Sequence, residues 1–495
     1  MSVPAPHPGR PRRLGASLFL STALLGLGAC AWVPDVGPAP APRDAATFAT
    51  QASFAPTGTG IADWPQDRWW AVYGDPQLDA LIEEGLAGAP DLAAAAARLR
   101  KAEALASQAD AALLPRVTGN AQVTEDKQSY RYLFPPAFVP KGYHEVPRAT
   151  VDFSYDFDFW GKNRASLAAA TSDAEAARAE VAQARLTLSA GIAAAYADLA
   201  QQAADRDAAA EAVDVRVRST TLVRQRRENG LETLGAVRQA EAREAAARGD
   251  LAAQDEAIAL TRNRLAALTG AGPDRGLAIQ PPAGARLRTF GLPANLAANL
   301  LGRRPDVVAA RLTVEAAAKR IAVAKAAFYP NVDLAAYFGV QTLGLNALTK
   351  SGATIASVGP AVSLPLFEGG ALAAQYRGAR ADYDAAVASY NGTVAKALQD
   401  VADAAASARA LETRLTHARD ALAAATDAHR IATARYEGKL STYLDVLTAE
   451  DTLIADRRAL ADLQARAFTL DIALIRALGG GYQAAPAAPQ TVAAR

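Results

Sequence analysis

The chain of 495 residues contains one cysteine, one methionine and four histidines. A single cysteine excludes a disulfide framework and a thiolate metal cluster. His7, His144, His417 and His429 are scattered, so neither a metal centre nor any other cofactor is expected. With Met1 as the only methionine, a thioether path for Cu(I) or Ag(I) is missing, which favours organic cargo over soft metals. Aromatic residues make up 6% although hydrophobic residues reach 51%, so small side chains, above all alanine, carry the apolar share. The 52 Lys and Arg are balanced by 51 Asp and Glu, which leaves no basic field to attract nucleic acid. No Gly-rich phosphate loop, G-x-S-x-G or H-E-x-x-H occurs, so the chain offers no enzyme chemistry. Beyond the N-terminus no uncharged apolar run reaches about 18 residues. A membrane crossing is therefore expected only as a β-barrel.

Proline is absent where it would matter most. None of the 27 prolines falls between residues 148 and 272 or between 366 and 485. A proline inside a helix costs roughly 3 kcal/mol, and both windows are filled with strong helix formers. A helix from Ala165 to about Arg227 is expected, broken at Asn229-Gly230 and resumed from Glu232 to Leu268. The second window repeats this pattern: a helix from Ala371 to Tyr436, a break at Glu437-Gly438-Lys439, and a helix to Leu478.

Two further regularities mark a duplication. Pro90-Asp91-Leu92 precedes Pro115-Arg116-Val117 by 25 residues, and Pro305-Asp306-Val307 precedes Pro330-Asn331-Val332 by the same interval. Residues 226–241 and 435–450 agree at seven of sixteen positions without a gap. Strands are expected where the helices pause. Residues 151–159 alternate Val151, Phe153, Tyr155, Phe157 and Phe159 with Asp152, Ser154, Asp156 and Asp158, a strict period of two. Segments 117–124 and 332–340 alternate likewise, and a weaker strand at 354–366 is interrupted by Pro360. The loop 126–147 would lie between the first two strands. Four strands are too few to close a membrane barrel, which takes about eight or more. The chain must therefore oligomerise, and three copies would give twelve strands.

The N-terminus reads as an export signal. Arg10, Arg12 and Arg13 precede an uncharged apolar stretch from Leu14 to Ala29. Leu27-Gly28-Ala29-Cys30 resembles the lipobox of bacterial lipoproteins, which implies a lipid on Cys30; an ordinary secretory signal with an incidental cysteine is the alternative. Cleavage before Cys30 leaves 49 basic residues against 51 acidic ones, net −2. Ala31, rather than Asp, follows the cysteine, which points to the outer membrane.

From Trp64 to Tyr482 the chain resembles the TolC-like outer-membrane efflux proteins, in the lipoprotein branch that works with resistance-nodulation-division pumps. The resemblance rests on Trp69-Trp70-Ala71-Val72-Tyr73-Gly74-Asp75-Pro76, Leu114-Pro115-Arg116-Val117, Asp158-Phe159-Trp160-Gly161 and Arg303-Arg304-Pro305-Asp306-Val307. It continues through Phe328-Tyr329-Pro330-Asn331-Val332, Leu364-Pro365-Leu366-Phe367-Glu368-Gly369-Gly370, Tyr443-Leu444-Asp445-Val446-Leu447 and Gly479-Gly480-Gly481-Tyr482. It implies an α+β fold: a long α-helical barrel forming a periplasmic tunnel, with four β-strands per chain completing a twelve-stranded transmembrane β-barrel in a homotrimer.

The expected organisation is a signal peptide (1–29), an N-terminal and equatorial segment (30–90), a first repeat (91–274), an equatorial linker (275–304), a second repeat (305–480) and a tail (481–495). The implied partners are a periplasmic adaptor protein, an inner-membrane pump and outer-membrane lipid. Two helix-turn-helix tips would form the periplasmic entrance. Tyr436 and Asp445 match constriction positions, and Thr448 stands where many relatives carry a second Asp. Three Asp445 carboxylates around one axis would make an acidic ring; a solvated helix-face carboxylate is the alternative. Gly230, Leu231, Gly438 and Leu440 are the adaptor-facing candidates, or simple turn punctuation. Lys439 occupies a turn position usually held by Gly. Two other readings remain: a periplasmic adaptor, which would carry one hairpin between β-rich segments, and a structural coiled-coil lipoprotein, which would lack the aromatic-acid strand.

Overall fold

The computed structural model describes residues 33–44, 47–50, 53, 63–131, 135–282 and 302–484. Cys30, the signal segment, most of the linker after residue 282 and the end of the tail lie outside them. The helices are α1 (Pro76–Gly88), α2 (Pro90–Ala111), α3 (Lys162–Glu228), α4 (Leu234–Leu268), α5 (Asp274–Leu277), α6 (Pro305–Ala326), α7 (Ala371–Glu437) and α8 (Tyr443–Ala477). The strands are β1 (Arg116–Asp126), β2 (His144–Asp156), β3 (Asn331–Gln341) and β4 (Thr354–Ser363). The duplication is metrically strict. Helices α2 and α6 both have 22 residues, α3 and α7 both 67, and α4 and α8 both 35. At 1.5 Å per residue, α3 and α7 each run about 100 Å.

The chain divides into two compact units, and the divisions fall inside α2, α3, α6 and α7. One unit, from 101–174, 312–387 and the N-terminal segment, holds the sheet. Its order is β1-β2-β3-β4, antiparallel throughout. The register sorts side chains by sign of hydropathy. Val117, Gly119, Ala121 and Val123 align with Phe153, Val151, Ala149 and Pro147. Val151 and Phe153 continue to Phe338 and Ala336, and these to Ala356 and Val358. Val117, Val123, Val151, Phe338, Val358 and Val362 of this face are all exposed. The opposite face carries Thr118, Asn120 and Gln122 against Asp152, Thr150 and Arg148, with Tyr337 and Ser357 beyond. There Asp152 accepts from Asn120 Nδ2 (2.7 Å) and Thr150 Oγ1 (2.9 Å). An exposed apolar face backed by a polar one is a sheet between lipid and a wet lumen.

At the strand ends nearest α3 and α7, Trp160 stacks on Tyr329 at 4.6 Å and Phe157 on Phe159 at 5.6 Å. Trp160 Nε1 donates to Pro330 O at 2.8 Å. Such amphipathic rings suit a membrane-water boundary.

Three strand limits differ from expectation. The second strand ends at Asp156 rather than 159, because Asp158 turns to φ +47° and starts the next helix. Its carboxylate accepts the N–H groups of Asn163 (2.9 Å) and Arg164 (3.0 Å), which the first turn of α3 leaves unpaired. Pro360 does not interrupt β4; it stays in register opposite Leu334. His144 opens β2 opposite Asp126, so the connecting loop is shorter than 126–147.

The other unit is helical and includes α1, α4, α5 and α8. Its core gathers Trp69, Trp70, Leu78, Leu81, Ile82, Ile192 and Tyr196 with Leu265, Phe468 and Ile475. Asp75 caps α1 by accepting from Gln77 N (2.9 Å) and Leu78 N (3.2 Å), while its second oxygen accepts from Tyr196 Oη (2.7 Å). Tyr73 Oη donates to Asp471 at 2.6 Å. The run Gly479-Gly480-Gly481 lies in the left-handed region throughout. A Cβ on Gly479 would sit 2.0 Å from Arg303 O, so the chain passes here only without side chains.

Candidate functional site

The α3–α4 and α7–α8 turns are built alike. After α3, Leu231 N donates to Arg226 O (2.8 Å) and Gly230 N to Arg227 O (2.9 Å). After α7, Leu440 N donates to Arg435 O (2.8 Å) and Lys439 N to Tyr436 O (3.1 Å). Both are Schellman turns, which place the residue after the cap in the left-handed region. Gly230 sits there with φ +73° and Lys439 with φ +62°. The substitution of Lys for Gly thus leaves the turn geometry intact, at about 1 kcal/mol of backbone strain. Gly438, the glycine that marked this turn in the sequence, is not the left-handed residue. Each following helix starts at a threonine: Thr233 Oγ1 accepts from Ala236 N at 3.1 Å. At the second turn, Asp445 Oδ2 accepts from both Thr442 N and Thr442 Oγ1 at 2.9 Å.

Asp445, the expected ring residue, is therefore exposed but already half engaged in starting α8. Thr448 is exposed too, and its hydroxyl donates to Leu444 O (2.9 Å). Tyr436 is elsewhere: it is 1% exposed, inside an apolar cluster with Val223, Val237, Ala240, Tyr443 and Leu447. Its hydroxyl donates to Glu232 Oε1 at 2.9 Å. The Arg226 guanidinium lies 4.2 Å from its ring centre and donates to its carbonyl at 3.3 Å. Burial, then Glu232, push the phenol well above its usual range, so it stays protonated and donating. Tyr436 thus ties α7 to the end of α3 and to the first turn, rather than lining a surface. Leu231, Leu234, Leu440 and Leu444 leave the two turns exposed and apolar.

Just behind the cluster lies a polar network that the sequence reading missed. Arg216 of α3 donates to Glu450 Oε2 of α8 at 2.5 Å, with side chains 6% and 2% exposed. Ser219 Oγ donates to Glu450 Oε1 at 2.5 Å, and His429 Nε2 of α7 is 3.7 Å from the same oxygen. Asp451 receives Arg216 and, at 2.5 Å, Arg243 of α4. All four long helices meet at this one set of charges. A clue existed: Glu450 is the last of the seven matches between the copies, and its counterpart Glu241 likewise accepts from Arg224 (2.8 Å) and Arg238 (2.7 Å).

The family model for the outer membrane efflux protein matches the chain twice, over residues 81–271 and 296–480, well over half of it. The multidrug resistance outer membrane protein MdtP of Shigella flexneri is 34% identical over 430 residues, covering 86% of this chain and 88% of that protein. The fusaric acid resistance protein FusA of Burkholderia cepacia is 39% identical over 324 residues, or 65% of this chain and 61% of that protein. The crystal structure of the outer membrane protein VceC from Vibrio cholerae superposes with a TM-score of 0.80 at 46% identity, covering 85% of this chain and 100% of that one.

Proposed function

This chain belongs to the outer membrane efflux protein family and is an outer-membrane efflux channel; from that premise we propose how it assembles and works. Three copies close one barrel of twelve strands, each giving four. The observation that carries this reading is the sheet itself. It has a lipid-compatible face and a polar face, yet β1 and β4 end it with unpaired edges. Unpaired backbone groups are untenable in lipid, whereas β4 of one copy against β1 of the next removes both edges.

The two turns form the periplasmic entrance, with the Tyr436 cluster holding each tip together. Asp445 supplies three carboxylates around the trimer axis, and capping α8 and lining the entrance are compatible roles for two oxygens. A periplasmic adaptor docks on the exposed leucines beside Gly230, Leu231, Gly438 and Leu440, and a resistance-nodulation-division pump delivers the cargo. The names of MdtP and FusA concern drugs and fusaric acid; small organic compounds are the corresponding cargo proposed here. Residues 91–274 and 305–480 are the two copies of the ancestral unit.

A lipid on Cys30 anchors the chain beside the barrel. In support, Arg380 Nη2 and Nη1 hold Pro38 O (2.5 Å) and Gly37 O (3.3 Å) against α7, and Tyr383 Oη holds Pro40 O (3.2 Å). Arg380 is nine residues, about 14 Å, along α7 from its start after β4. Cys30 precedes Gly37 by seven steps of chain, a reach of at most about 25 Å, longer than the run of α7 from Arg380 back to its start.

The assembly is tested by the native mass of the protein extracted in mild detergent. A trimer is expected, and a stable folded monomer would refute the barrel.

A further inference from the structure

We propose that Lys439 makes the second tip a charge-selective docking point, whose ammonium pairs with a carboxylate on the apolar hairpin tip of the adaptor. The inference rests on reading the tips as docking sites and adds the chemistry of the partner.

Its basis is a difference between two otherwise matching turns. The left-handed position after α3 is filled by Gly230, which adopts φ +73° without strain. The same position after α7 is filled by Lys439 at φ +62°, a conformation that L side chains rarely adopt. A glycine there would fold more easily, so the strain falls on a residue whose side chain does nothing for the fold. Among the described residues the Lys439 side chain is exposed and has no ion-pair partner. Strain of this kind collects where a surface has work to do.

The surroundings suit a partner rather than solvent alone. Leu440 is 73% and Leu444 60% exposed beside the lysine. Arg435 and Glu437 flank it, both exposed, and Asp445 is engaged with Thr442. The second turn therefore presents the Lys439 ammonium at its apex, set in leucine, with Arg435 and the carboxylates of Glu437 and Asp445 around it. The first turn has Gly230 at the corresponding apex, with exposed Arg227 and Glu228 beside it and Arg226 and Glu232 engaged with Tyr436, so it offers no ammonium there. In a trimer the two kinds of tip alternate, so adaptors carrying an acid at the hairpin turn would distinguish one tip from its neighbour. A charge pair closed off among apolar side chains selects partners more sharply than one in open water.

The test uses host cells whose own copy of the gene is deleted and replaced by variants, with the native adaptor and pump in place. Efflux of a fluorescent dye is measured beside the amount of trimer in the outer membrane. K439R should keep most of the efflux, K439Q should lower it about threefold, and K439E about tenfold, the equivalent of about 1.4 kcal/mol. K439G should give a trimer at least as heat-stable as the parent and still lose efflux, which separates docking from folding. Suppressors of K439E should change an acidic residue of the adaptor hairpin to Lys or Arg. Equal efflux at equal trimer levels across the series, or suppressors confined to this chain, would overturn the proposal. If deleting the gene itself leaves efflux unchanged, the channel reading fails instead.

Discussion

Replacing Glu450 by alanine should loosen the tip far more than its distance from any opening suggests. The carboxylate is 2% exposed and receives Arg216, itself 6% exposed, together with the Ser219 hydroxyl. Removing one partner of a buried pair leaves the other charge desolvated, which costs about 3–5 kcal/mol. Arg216 keeps Asp451, whose side chain is 44% exposed, so the lower end, about 3 kcal/mol, is expected. Because each 1.4 kcal/mol is a tenfold change in an equilibrium constant, local opening should become about a hundredfold more frequent. Hydrogen exchange of the detergent-solubilised trimer reads this directly, through amides at 212–224 of α3 and 446–454 of α8. Glu450→Gln should fall in between, since it retains a hydrogen-bonding oxygen. The double replacement Arg216→Met with Glu450→Leu should recover most of the protection, because no charge is then left buried. Exchange in Glu450→Ala within threefold of the parent would show that water already reaches the network, and the argument from burial would be wrong.

Burial and the neighbouring Asp462 raise the carboxyl of Asp205 to about 6. A raised carboxyl favours the folded chain below its ordinary value near 4, and that contribution is lost as pH rises through about 6. Asp205→Asn should accordingly raise the melting temperature at pH 7.5 and have no effect below pH 4; a constant difference at both pH values would contradict the assignment. Gly479→Ala sets a methyl 2.0 Å from Arg303 O in a backbone at φ +87°. It should cost about 3 kcal/mol or more and sharply lower the yield of heat-resistant trimer on gels. Asp445→Asn keeps an acceptor for Thr442 but removes charge, so bilayer recordings should show weaker block by multivalent cations with unchanged trimer stability; Asp445→Ala should disturb both. Cys30→Ser should abolish labelling by a palmitate analogue, while efflux persists through the barrel's own hold on the membrane.

Much of the architecture is local physics and was legible along the chain. Two proline-free windows became helices α3/α4 and α7/α8 within a few residues of the expected limits, because one missing N–H suffices to break a helix anywhere within it. Alternation of aromatic and acidic side chains became a two-faced sheet, because a strand alternates its side chains whatever it packs against. The duplication became pairs of helices of equal length. The exceptions are instructive. Asp158 continues the alternation on paper but serves as the acceptor for the first turn of α3, a competition no period can register. Lys439 stands at a turn position usually held by Gly, yet the helix end dictated the left-handed conformation and the residue complied.

What the sequence could not decide is where charges are buried and with whom. Arg216 and Glu450 are 234 residues apart, and Tyr436 meets Glu232 across 204. Apart from the place of Glu450 as the last match between the two copies, nothing along the chain distinguishes these residues from the many solvated Arg and Glu of the same helices. Only the side-by-side packing of four helices removes water from these few, and once water is gone each charge must find a partner. Tyr436 was read from the sequence as a residue of the opening; packing made it the residue that closes the core of the tip. Helix, strand and repeat were set by the chain's own periodicities, while burial, and with it the role of each polar side chain, was set by tertiary contact.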